Sequence, residues 1–208
     1  MRSKNRSKRP GTLLMAAGLL LVAAALFLTV YNLWEEQRAA DTVARTLEEI
    51  TPLVQPAPIE NADEEIIPDY QLNSYMARPT VEIDGRDYIG RLDIPVLGIS
   101  LPVLSRWSYP NLKTAPCRYT GSTYAEPLVI AGHNYKSHFG SLKELVPGDT
   151  VQFTDVDGNV FSYVVCQTDL LGRYDVEEIE AGEWDLTLFT CTMDGKMRVT
   201  VRCMAGTA

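Results

Sequence analysis

The sequence predicts a mainly β domain, a sandwich or closed barrel, held behind one membrane-spanning helix and a stalk. Three observations carry that prediction. Thr12–Trp34 is an almost unbroken apolar run, and about 20 such residues cross a bilayer as a helix. Residues 51–78 are rich in proline and acid, the composition of a linker. From Thr80 onward, short apolar or alternating runs recur between tight-turn signals, and that density of strands marks an all-β architecture.

At the N-terminus, Arg2, Lys4, Arg6, Lys8 and Arg9 precede the apolar run, and Glu35 and Glu36 follow it. The positive-inside rule then keeps residues 1–11 in the cytoplasm as a basic tail and sends the rest outside. Tyr31 and Trp34 stand where an interfacial aromatic belt forms. A cleaved signal peptide is the rival reading, with Ala23–Ala25 as the small residues. The apolar run continues past them and exceeds the usual signal core, which favours a retained anchor over 12–34. Residues beyond 34 hold 14 basic and 27 acidic side chains. Such a domain is a poor match for nucleic acid.

Residues 35–79 read as a helical stalk and linker. Ala39, Val43, Leu47 and Ile50 recur at helical spacing. Pro52, Pro56, Pro58, Pro68 and the acidic run 63–65 then break any regular element. Pro68-Asp69-Tyr70 suits a turn, with a lid over a groove as the alternative. Residues 80–208 form the β-domain. Strands are expected at Val81–Ile83, Asp87–Leu92, Ile99–Val103, Leu128–Ala131, Thr150–Thr154, Val160–Gln167, Leu186–Thr192 and Met197–Met204. Ser108–Thr114 and Ser141–Leu145 suit short helical turns, and Glu177–Glu183 suits a rim loop.

Chemistry concentrates near residue 191. Thr192–Gly195 joins two strands, with Asp194-Gly195 as the turn signal. Cys191 ends the first strand, and Arg198 lies at the start of the second. His133 follows another apolar strand, Val129–Ala131. Cysteine, histidine and arginine supply a nucleophile, a proton carrier and an oxyanion stabiliser, the set that acyl transfer through a thioester requires. A free thiol has pKa about 8.5, so neighbouring cations are needed to raise its thiolate fraction. Arg202 competes with Arg198, but lies about 13 Å further along the same face. Thr190 and Asn134 are candidate groove residues beside this trio.

The remaining candidates have bland readings. His138 is expected on the surface or in a groove wall. Cys117, Cys166 and Cys203 are expected as packing residues, with a Cys166–Cys203 disulfide as an alternative. The cysteines form no CxxC pair and there are two histidines, so a zinc site is not expected. Asp155-x-Asp157-x-Asn159 resembles the start of a calcium loop. Without glycine at its sixth position or a carboxylate at its twelfth, it reads as a hairpin turn. No cofactor is expected.

The run from Tyr88 to Val103 (YIGRLDIPVLGISLPV), the element Ala131–Asn134 (AGHN), the strand Thr187–Cys191 (TLFTC) and the strand Arg198–Arg202 (RVTVR) together resemble the sortases. These are the membrane-anchored cysteine transpeptidases of Gram-positive bacteria. The resemblance covers residues 80–204. It implies an eight-stranded β-barrel, with Cys191 as nucleophile, His133 as the histidine of the GH element and Arg198 as the arginine opening the next strand. It also implies cleavage of an LPXTG-like sorting signal on secreted proteins. The acyl group then passes to an amine of a cell-wall precursor or a pilin lysine. A pilin-polymerising enzyme, a cysteine peptidase or hydrolase, and a membrane-tethered adhesin are the alternatives. Papain-like enzymes place cysteine before histidine; here His133 comes first.

Overall fold

The computed structural model describes residues 10–54 and 67–206. Helix α1 spans Pro10–Ile50 as one element, where the sequence suggested a membrane span and a separate stalk helix. Its first part is long and apolar enough to cross a membrane. By compactness the chain divides into a unit ending at Arg38 and a unit beginning at Ala39.

The second unit therefore starts well before residue 80, the boundary expected from sequence. Ala39, Val43, Thr46 and Ile50 are all buried, spaced three and four apart on one helical stripe. Ile50 and Val54 pack with Ile83, Tyr88, Leu104 and Cys117 in a small core of their own. The stalk is thus an integral wall of the domain. The acidic run 63–65 lies outside the described residues.

Among the described residues nine strands follow: β1 (Val81–Ile83), β2 (Arg86–Ile94), β3 (Ile99–Leu104), β4 (Cys117–Ser122), β5 (Glu126–Ala131), β6 (Thr150–Asp155), β7 (Val160–Gly172), β8 (Leu186–Cys191) and β9 (Met197–Ala205). Eight close into a barrel in the order β2-β3-β4-β5-β8-β9-β7-β6, with β6 returning to β2 and β1 appended outside. The number in the ring agrees with expectation, but its membership differs. β4 was not anticipated, because Arg118–Thr120 are half-buried without alternation and its pairing with β5 shifts register twice. The Asp84-Gly85 signal forms the β1–β2 turn with φ of 50° and 71°, as a two-residue hairpin turn requires.

Alternation fills the barrel. Leu92, Leu101, Leu128, Phe153, Leu188 and Val201 face inward in one cluster. Short helices decorate the connections: α2 (Asp69–Leu72), α3 (Tyr109–Leu112) and α4 (Val176–Glu180). Ser108 caps α3, its side chain accepting from the Asn111 N–H at 3.2 Å. The Asp155 carboxylate closes the β6–β7 hairpin. It accepts from the backbone N–H groups of Asp157 and Asn159, from the Asn159 side chain and, at 2.7 Å, from the Tyr124 hydroxyl. These four bonds tie the carboxylate into the hairpin turn.

Candidate active site

Three pairings assemble the site. β8 and β9 are antiparallel, with Cys191 directly opposite Arg198. β7 continues the row on the other side, with Leu171 opposite Arg198. β5 runs parallel to β8, with Ala131 beside Phe189. The Gly132 N–H then donates to the Phe189 carbonyl at 3.0 Å. Two residues further along each parallel chain come His133 and Cys191. Opposed residues project from the same face of a sheet, so Arg198 and Cys191 share the outer face, with His133 just past the end of the adjoining strand. All three are half-buried.

Loop geometry fixes His133. The Phe139 N–H donates to the His133 carbonyl, and the N–H groups of His138 and Gly140 both donate to the Tyr135 carbonyl. The Tyr135 ring stacks on the imidazole at 3.8 Å between centroids and 18° between planes. Nothing in the spacing of His133 and Tyr135 announced that stack. The Asn134 side chain reaches the sulfur of Met193 at 3.6 Å, tying this loop to the turn after Cys191. That turn is closed by Thr192, whose hydroxyl donates to Asp194 at 2.6 Å. This bond holds the Asp194 carboxyl below the usual range.

Arg198 donates through Nη1 to the carbonyls of Gly195 and Met197 at 3.3 and 3.1 Å. A guanidinium has five N–H donors in a fixed fork, so these bonds orient it at the hairpin without consuming it. Arg202 is in a different situation. It is 4% exposed and bonded to Ile179, Thr187 and Glu178. Burial lowers its pKa, opposed by Asp169 and Glu178. Between the two candidate arginines, only Arg198 stands opposite the sulfur.

Several expectations need correction. Thr190 lies on the inward face of β8 and is 3% exposed, so its side chain lines the barrel interior and not a groove. Strand alternation makes this unavoidable once Cys191 faces out. His138 is wholly buried, because Phe139, Leu142 and Leu145 pull its loop into the core. Burial first, and then the His133 charge, depress its pKa to about 4. Cys166 is exposed at a β-bulge between Val165 and Gln167, whereas Cys203 faces the core. Both thiols are free. Burial drives Cys117 and Cys203 to about 12, leaving them inert.

The far end of the barrel holds other features. Tyr70 stacks on Tyr124 at 4.9 Å and touches Phe161. Tyr124 precedes β5, and Phe161 lies at the start of β7. Both are at the strand ends opposite Cys191, so Pro68–Tyr70 is docked away from the sulfur and not across it. A cavity of about 440 Å³ opens there too, lined by Tyr124, Glu126, Phe161, Tyr163 and Asp185. On the outer face near the cysteine row, Leu171 and Tyr119 pack against Phe189. Phe189, Tyr119 and Trp107 meet edge to face at 5.3 and 5.8 Å.

Comparison with known proteins agrees with this architecture. The sortase domain model matches residues 92–205. No curated protein matches the chain. Among solved structures, a Clostridium perfringens sortase D5 transpeptidase is 20% identical at a TM-score of 0.56, covering 80% of this chain and 99% of that one. Listeria monocytogenes sortase A is 20% identical at 0.54, covering 58% and 88%. Streptococcus agalactiae sortase C1 is 19% identical at 0.53, covering 83% and 96%. At these identities the likeness is one of fold. The matched domain spans over half the sequence and contains His133, Cys191 and Arg198 alike: the chain belongs to the sortase family.

Proposed function

We propose that this chain is a cysteine transpeptidase that cleaves an LPXTG-like sorting signal and transfers the acyl fragment to an amine. Helix α1 anchors it, with the basic tail in the cytoplasm and the barrel outside. The single observation that supports the reading is the outer-face row in which Arg198 and Cys191 are cross-strand partners and His133 lies two residues past the end of the adjoining strand. The Cys191 thiolate attacks the scissile carbonyl. Arg198 stabilises the oxyanion. His133 gives a proton to the leaving amine, and a thioester remains. An incoming amine then attacks the thioester while His133 accepts its proton. The amine is that of a cell-wall precursor or a pilin lysine, and the acyl donors are secreted proteins bearing the signal.

The test mixes the full-length chain in detergent with sorting-signal peptides and an amine acceptor, and follows products by mass spectrometry. An amide product that disappears in Cys191→Ala supports the proposal. Hydrolysed peptide alone at saturating amine would replace it with a hydrolase.

A further inference from the structure

Arg202 shares the outer face of β9 with Arg198, yet the chemistry above does not use it. Its Nη1 donates to the Ile179 carbonyl at 2.7 Å and to the Thr187 hydroxyl at 3.1 Å. Its Nη2 donates to the Glu178 carbonyl, and its Nε lies 3.8 Å from Asp169. Glu178 and Ile179 belong to α4, in the connection of residues 173–185 between β7 and β8. So short a helix cannot satisfy its own last carbonyls, and a buried guanidinium answers them with charge-assisted bonds.

The ends of that connection have their own ties. The Arg173 N–H donates to the Lys196 carbonyl, and the Asp185 N–H to the Cys203 carbonyl. Its middle rests on Arg202 and on Ile179, which packs with Val129, Ala131 and Phe189. Phe189 is the outward residue two places before Cys191. Leu112, Tyr119 and Leu171 complete the same apolar patch.

We propose that Arg202 is a positioning residue, a latch that clamps α4 onto the sheet and so forms the wall against which an apolar side chain of the substrate peptide binds beside Cys191. The latch governs peptide binding, while thiol chemistry proceeds without it. This rests on the transpeptidase reading, and two separate readouts keep their failures apart.

The experiment compares the full-length chain in detergent with Arg202→Met, Arg202→Lys and Ile179→Ala. An LPATG peptide and amine give kcat and KM. Iodoacetamide alkylation of Cys191 reports the thiol without the groove. Hydrogen exchange at amides 176–181 reports the latch. Arg202→Met should raise KM about tenfold or more, the scale of losing charge-assisted bonds. It should leave kcat and alkylation within about twofold and speed exchange across α4 about tenfold. Arg202→Lys should recover part of both changes, and Ile179→Ala should raise KM with Arg202 intact. If Arg202→Met does not fold, the other two variants carry the comparison. Unchanged exchange overturns the latch, and loosened exchange with unchanged KM overturns its role in binding. A fall in kcat and alkylation at constant KM would make Arg202 part of the chemistry. If the wild-type chain processes no peptide, the transpeptidase reading fails, and exchange still decides the latch.

Discussion

A fragment beginning at residue 79 keeps every barrel strand, yet it should be far less stable than the fragment Ala39–Ala208. Val43, Ile50 and Val54 are 7%, 0% and 1% exposed, and the shorter fragment lacks all three. Burying a Val or Ile side chain contributes roughly 1.5–3 kcal/mol, so their loss costs about 5–9 kcal/mol. Residual compactness of the unfolded chain lowers that by up to a few tenths of its value. Against a typical total of about 5–15 kcal/mol, the shorter fragment should be near the limit of folding. Its exposed Tyr88, Leu104 and Cys117 would promote aggregation. Urea unfolding followed by Trp107 and Trp184 fluorescence compares the two directly, since both fragments keep both residues. Ile50→Ala in the longer fragment isolates the packing and should cost about 2–5 kcal/mol. Equal unfolding midpoints for the two fragments would refute the claim that the stalk is a wall of the domain.

Two further predictions concern the His133 loop. His138 is held neutral in the folded state, with its pKa depressed to about 4, while the unfolded chain takes up a proton below about 6.5. Its contribution is therefore full above pH 6.5 and is lost as pH falls toward 4, a change of about 3 kcal/mol. Urea midpoints at pH 7 and 4.5 should show the loss, and His138→Gln should flatten it. At Gly132 an added Cβ would clash with the Phe139 ring, 2.9 Å from Cε2 and closer to Cγ and Cδ2. Gly132→Ala should cost about 1–3 kcal/mol and reduce peptide turnover by more than tenfold, because Phe139 holds the His133 carbonyl. Unchanged turnover would show that this loop tolerates the displacement.

The placement of the candidate residues Cys191 and Arg198 was legible because both sit at strand ends, where alternation fixes orientation. Cys191 and Arg198 face outward for the same reason that Leu188 and Val201 face inward. Arg202 could be set aside on distance alone. What the sequence hid were features made by tertiary contact. His138 reads as polar loop until Phe139 and Leu142 draw it into the core. β4 reads as loop because Cys117–Ser122 lacks a period, and its partner supplies the strand. The stalk reads as a spacer because half of its apolar stripe is alanine and threonine, small enough to let the helix approach the barrel.

The most direct test of the account is the covalent intermediate itself. The full-length chain, mixed with an LPATG peptide in the absence of amine and quenched in acid, should gain the mass of the acyl fragment. That mass should map to Cys191 and be released by hydroxylamine. No adduct, or an adduct that persists in Cys191→Ala, would contradict the thioester on which the proposed function stands.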